Sequence, residues 1–403
     1  MRHAWFVSAL AATLLAGAQG AMAADARDIH EKILTLDTHI DTPMNFARPG
    51  WDMMDAHTFH DDLSQVDYPR MAKGGLDGAF FAIYTPQGPR TEAGRARARA
   101  AALKRGREIL DMAARHSDRF AVALRADDAA KIAAQGKRFV FLSMENSYPL
   151  GEDVASLKAF YDIGVRMAGP VHYTNNDLSD SATDPKGAEW HGLSPLGKAF
   201  VAEANRLGMV VDASHASDEA FDQMLELSKV PIILSHSGAS AVFRHPRNIG
   251  DDRIKRLAAK GGVIQINSYS DYLVPVKAIP ERAEAMRALN EKYGNYRALE
   301  GAKFKSYMNE RHAIEAKYPL PRASLDDVMN HMLHVLKLVG ADHVGIGLDL
   351  DGGGGVAGME DAGDLPEITK RLVAAGYGEN DLAKIWGGNA LRVLAAAESL
   401  ATH

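Results

Sequence analysis

The chain has 403 residues, of which 46% are hydrophobic and 24% charged, with a net charge of −6 at pH 7. That balance is ordinary for a soluble globular protein and supplies no basic surface for nucleic acid or an anionic membrane. There are no cysteines, which excludes disulfides, Cys nucleophiles, lipoprotein acylation and thiolate metal ligands, so any metal must be held by His, Asp and Glu.

The N-terminus reads as a secretory signal. Arg2 gives a short basic start, Trp5 to Ala18 is mostly apolar, and Ala21-Met22-Ala23 is an A-x-A cleavage site. The apolar run is short for a spanning helix of about 20 residues. The expectation is therefore a signal peptide over 1–23, cleaved after Ala23, and a mature domain over 24–403 without a membrane anchor. Loss of Arg2 leaves 45 basic against 52 acidic residues, net −7. The expected compartment is the periplasm or the exterior of a bacterium.

Eight short apolar runs follow, separated by helix-like stretches. The first is Ile33 to Asp41, which ends in Asp37-Thr38-His39-Ile40-Asp41. The others are Gly78–Tyr84, Arg138–Glu145, Val165–Tyr173, Met209–His215, Pro231–His236, Gly262–Asn267 and His343–Asp349. Helical spacing marks Glu92–Arg115, Gly197–Leu207, Asp251–Ala259 and Leu325–Val339. Alternation of this kind predicts a parallel sheet with crossover helices, and the count of eight predicts a closed (β/α)8 TIM barrel. No Gly-x-Gly-x-x-Gly follows the first run, which counts against a dinucleotide fold. The charged segment 276–322, between the seventh and eighth strands, reads as a helical insertion, either solvated or serving as a lid or oligomer contact. Gly352–Gly355 reads as flexible backbone near the barrel mouth.

Polar residues fall where each run ends, the face on which such barrels carry their active sites. His39 and Asp41 end the first strand and share a face. Glu145, His172, His215, His236 and Asp349 end the third, fourth, fifth, sixth and eighth. Three histidines, an aspartate and a glutamate exceed what one tetrahedral ion needs. They suit two ions sharing a bridging carboxylate, with a hydroxide held between them as nucleophile. Ligation by N and O alone favours two Zn2+, with Mn2+ or Fe2+ as alternatives.

These stretches, with His172-Tyr173-Thr174-Asn175-Asn176, Asn205 through Ser217, Ser235-His236-Ser237, His245-Pro246-Arg247-Asn248, Gly345 through Gly352 and Gly387 through Arg392, resemble the membrane (renal) dipeptidases of peptidase family M19. These belong to the metal-dependent amidohydrolase superfamily, and the resemblance spans nearly the whole mature chain. It implies that His39 and Asp41 hold one zinc, His215 and His236 the other, and Glu145 bridges them. It further implies that His172 contacts the substrate carbonyl, Arg247 grips the terminal carboxylate, Asp349 transfers the proton and Tyr269 touches the substrate. Dipeptides, including those with a C-terminal D-residue, are the implied substrates, and a homodimer the implied assembly. One departure is that Asn146-Ser147 follows Glu145, where relatives often have glycine. Two other readings remain open on sequence alone: an amidohydrolase acting on N-acyl amino acids or lactones, and a non-catalytic periplasmic binding protein.

Overall fold

The computed structural model describes residues 26–401, so the expected signal peptide lies outside the described residues. Ten strands form among them, and every ladder is parallel. In chain order they are β1 Leu36–Ile40, β2 Gly78–Tyr84, β3 Phe120–Val122, β4 Arg138–Glu145, β5 Val165–Ala168, β6 Val210–Val211, β7 Ile233–Ala239, β8 Asn248–Ile249, β9 Val263–Ile266 and β10 Val344–Ile346. Parallel strands are covered on both faces, so they read as near-continuous apolar runs. Gly78-Ala79-Phe80-Phe81-Ala82-Ile83 in β2 and Phe139–Glu145 in β4 are buried throughout.

One sheet runs β1-β2-β4-β5-β6 and the other β10-β9-β7. Two lone bridges join them into a ring. Asp212 pairs with Ile233, and Ile40 pairs with Leu350. The ring of β1, β2, β4, β5, β6, β7, β9 and β10 is the expected eight-stranded barrel. The short β3 borders the start of β4, before β5 takes over at Leu142. The two-residue β8 pairs in parallel beside the end of β7.

Local signals set the crossovers. Helix Pro195–Leu207 starts at a Ser194 cap with Pro195 in its first turn, and stops at Gly208, whose φ of 75° is left-handed. Helix Leu325–Val339 opens with a reciprocal capping box between Ser324 and Asp327. One core cluster draws Leu36, Phe80, Phe141, Met167, Val210, Ile233 and Val263 from seven barrel strands. It packs on Ala390, Val393 and Leu394 of the C-terminal helix Asn389–Glu398, which closes the end of the barrel away from the site. Each such side chain contributes about 1.5–3 kcal/mol by leaving water.

The segment between β9 and helix Leu325–Val339 forms two long helices, Pro280–Tyr293 and Gly301–Lys317. They share a small core of Leu289, Tyr307 and Met308, with Leu63 packed against it. The insertion therefore folds on itself and docks on the loop that follows β1. No helix among the described residues is long and apolar enough to cross a membrane.

Candidate metal and active site

The strand ends deliver the polar residues to one place. His39 is the fourth residue of β1, and Asp41 follows that strand directly. Glu145 is the last residue of β4, and His236 lies within β7. Two histidines sit further out than their apolar runs suggest. β5 ends at Ala168 and β6 at Val211, so His172 and His215 each stand four residues beyond a strand. His215 occupies a left-handed turn with φ 67°, and Asp349, three residues past β10, does the same with φ 62°. Positive φ costs a non-glycine residue strain, and such strain concentrates at functional sites.

Glu145 is the hub. Its Oε2 lies 3.5 Å from His39 Nε2. Its Oε1 lies 3.1 Å from His215 Nε2, 3.5 Å from His236 Nε2 and 3.6 Å from His172 Nε2. His39 Nε2 is also 3.7 Å from Asp41 and 4.0 Å from Asp349. Donor atoms within 4.8 Å of one another form three groups: His39, Glu145 and His236; Glu145, His172 and His215; and His39, Asp41 and Asp349. All seven expected polar residues thus meet in one buried cluster. Glu145 turns one oxygen toward His39 and the other toward His215, His236 and His172.

The cluster fits divalent cations. His39 Nε2 and Asp41 Oδ1 are buried with no hydrogen-bond partner. His215 Nε2 and His236 Nε2 approach to 2.8 Å, both aimed at the same carboxylate oxygen. Three carboxylates buried together are costly unless cations compensate them. The tautomer of His236 follows from its neighbours. Ser235 Oγ donates to Asp212 Oδ2 (2.5 Å), so it accepts from the Nδ1–H of His236 (2.8 Å). That leaves a lone pair on Nε2 facing the site, the arrangement of a metal-ligating histidine. Burial holds His215 and His236 well below the usual imidazole range, with Arg247 and neighbouring histidines adding to it. Burial opposes the charge on His39, but Glu145 and Asp41 outweigh it and raise that group. Burial likewise opposes the charge on Glu145, yet the surrounding histidines keep it ionised. Burial pushes Asp349 well above the usual carboxylate range, with Asp41 and Glu145 adding to the push.

Arg247 sits at the edge of this cluster. It is buried, donates from Nη2 to the carbonyl of His236 at 2.9 Å, and leaves Nε without a partner. Its guanidinium lies 5.2 Å over the ring of Tyr272. Tyr269 stands further off. It packs 4.6 Å from Tyr272 and against Gly353, outside the cluster itself.

Several contributors escaped the sequence reading. Asp37 accepts from the backbone N–H of His39 and of Leu348, so it fixes β1 against the segment after β10 that carries Asp349. Its carboxyl is pushed up to about 6 by burial. Asp212 and Ser235 orient His236, and a polar pair inside apolar runs was the available signal. Asn146, where the family resemblance implied glycine, has φ 63° and so adopts the backbone that glycine favours. The four-glycine loop corrects an expectation. A Cβ on Gly352 would overlap Asp41 and Asp349, and one on Gly353 would overlap Tyr269. Gly354 N–H donates to Asp349 O at 2.7 Å, and its carbonyl accepts from Gln65. These glycines serve close packing against the site rather than flexibility.

A profile of the membrane dipeptidases (peptidase family M19) matches residues 23–403. The chain belongs to this family. Its relatives include dipeptidase tcpJ of Claviceps purpurea, 31% identical over 348 residues, which cover 85% of this chain and 71% of that protein. Among solved structures, the "probable dipeptidase PvdM" of Pseudomonas aeruginosa is 30% identical with a TM-score of 0.79, covering 94% of this chain and 99% of that one. A metallopeptidase from Rhodobacter sphaeroides, liganded with a phosphinate mimic of the dipeptide L-Ala-D-Ala, is 25% identical with a TM-score of 0.70, over 91% of this chain and 99% of that one. The M19 assignment makes this chain a metal-dependent dipeptidase on a TIM-barrel-like fold.

Proposed function

We propose that the protein hydrolyses dipeptides at a two-zinc site in which Glu145 is the shared ligand. The observation that carries this reading is the split of the Glu145 carboxylate between His39 on one side and His215 and His236 on the other. His39 and Asp41 would hold one ion, His215 and His236 the second. When bound, the pair supplies an acidified water and polarises the scissile carbonyl. An all-N/O donor set favours zinc, with Mn2+ or Fe2+ as alternatives.

The chain's own groups do the rest. His172, held neutral chiefly by burial, donates a hydrogen bond to the carbonyl oxygen as it becomes an oxyanion. Asp349, raised by burial, takes the proton from the attacking water and passes it to the leaving amine. Arg247 receives the C-terminal carboxylate on its fork, with Tyr269 and Tyr272 beside it. A site that reads the carboxylate more than the side chain accepts a C-terminal D-residue, in keeping with the ligand of the Rhodobacter relative. Export after cleavage at Ala23, a single domain over 24–403 and a homodimer complete the proposal.

The test is metal analysis and assay of one preparation. The purified protein is stripped with a chelator, reloaded with zinc, and screened on L-L and L-D dipeptides. Turnover should vanish on stripping and return with about two equivalents of zinc. Full activity in the stripped protein would overturn the proposal.

A further inference from the structure

A cavity of about 550 Å3 opens beside the metal cluster. Its inner wall is Tyr269 and the Gly352–Gly355 loop, the same loop that abuts Asp41 and Asp349. Its outer wall comes from the insertion and brings four arginines. Three of them are engaged. Arg311 holds Glu315 at 2.9 Å, Arg282 donates to the carbonyl of Tyr318, and Arg322 holds Glu360 at 3.1 Å.

Arg297 differs. Among the described residues no carboxylate lies within ion-pair distance of it, and its Nε is buried without a hydrogen-bond partner. Its guanidinium rests 4.7 Å over the ring of Tyr296. Two further acids line the cavity, Asp271 and Asp351, and neither reaches Arg297 as an ion pair; Asp351, on the facing loop, is committed elsewhere. It accepts from Thr42 Oγ1 at 2.6 Å and from Gln65 N–H at 2.7 Å. Other cations stand close by. Burial holds Arg48 and Arg105 below the usual guanidinium range, and the charge of Arg297 adds to that. A guanidinium turned toward a cavity, with no carboxylate in ion-pair reach and with Arg48 and Arg105 nearby, is matched by a carboxylate, which its planar fork fits.

The direction of the substrate follows from the tyrosines. Arg247 stacks on Tyr272, Tyr272 packs on Tyr269, and Tyr269 packs on Gly353. The cavity is therefore on the far side of Tyr269 from Arg247. We propose that it is the subsite for the amino-terminal residue of the substrate, and that Arg297 binds a side-chain carboxylate there, so that the enzyme prefers dipeptides beginning with Glu or Asp. This rests on the dipeptidase reading above, with the C-terminal carboxylate on Arg247.

The experiment compares Glu-Ala with Gln-Ala, which differ in charge and hardly in shape. In the wild-type protein kcat/KM should favour Glu-Ala by about tenfold, and Arg297→Gln should erase that ratio. Arg297→Lys, which keeps the charge and loses the fork, should retain part of it and serves if the Gln variant does not fold. An unchanged ratio in the variants would overturn the subsite. Glutarate binding, measured by calorimetry on wild-type and variant protein, needs no turnover. If neither dipeptide is cleaved, the dipeptidase reading fails and the amino-terminal assignment with it, while weaker glutarate binding in Arg297→Gln still supports a carboxylate site at Arg297. Equal binding in both, or none in the wild type, would count against it.

Discussion

Ser235 Oγ lies 2.8 Å from Nδ1 of His236, and the hydroxyl's own proton is committed to Asp212. The serine therefore fixes which nitrogen of the imidazole is bare. Ser235→Ala removes that acceptor and frees the ring to adopt the other tautomer. Zinc affinity should fall about 10- to 100-fold, read by competition with a chromophoric chelator, and excess zinc should restore most of kcat. Unaltered affinity would mean that the tautomer is set elsewhere.

Glu145 faces ligands on both sides, so Glu145→Gln should disturb both ions together. Metal analysis of the purified variant should give about one ion or fewer per chain, against about two in the wild type. A variant that keeps both would show that the carboxylate does not bridge.

Asp349→Asn keeps the side chain's shape and its place beside Gly352 but cannot take a proton. Steady-state assays should show kcat reduced about 10²- to 10⁴-fold with KM little changed. Equal losses in KM alone would assign Asp349 to binding.

Acid stability should depend on a residue outside the site. His331, on helix Leu325–Val339, accepts from the N–H of Ala239 at the end of β7 (3.0 Å) and is fully buried. Burial lowers its pKa to about 4. An unfolded histidine titrates near about 6.5. Between those values the unfolded chain takes up a proton that the native state refuses, so stability is full above the unfolded value and falls as pH drops toward the native one. The loss reaches about 3 kcal/mol at most. His331→Asn keeps an acceptor for Ala239 and has nothing to titrate. Denaturant melts of both proteins should diverge in the variant's favour as pH is lowered from about 6.5 to about 4.

The ring of strands was legible because buried parallel strands are written as apolar runs, and its ligands were legible because they follow those runs. The run does not mark where the ladder stops. Val165–Tyr173 and Met209–His215 read as strands to their histidines, yet the pairing ends at Ala168 and Val211 and turns deliver the side chains. β3 and β8 are only three and two residues long, too short to show a period. Asp37, Asp212 and Ser235 gain their roles from partners on neighbouring strands. Arg297 becomes notable only once the insertion docks, which brings it across from the glycine loop some fifty residues further along the chain.

The barrel's seams have a consequence for how the protein holds together. At each seam the regular ladder narrows to one bridge, Asp212 with Ile233 and Ile40 with Leu350, and the carboxylates of Asp212 and Asp37 add hydrogen bonds across it. Glu145, His39 and His215 belong to one arc of strands, while His236 belongs to the other. Any cation held between Glu145 and His236 therefore rivets the two arcs where the backbone stitches them least. Metal scarcity would then remove a tie between the two arcs as well as silence the enzyme.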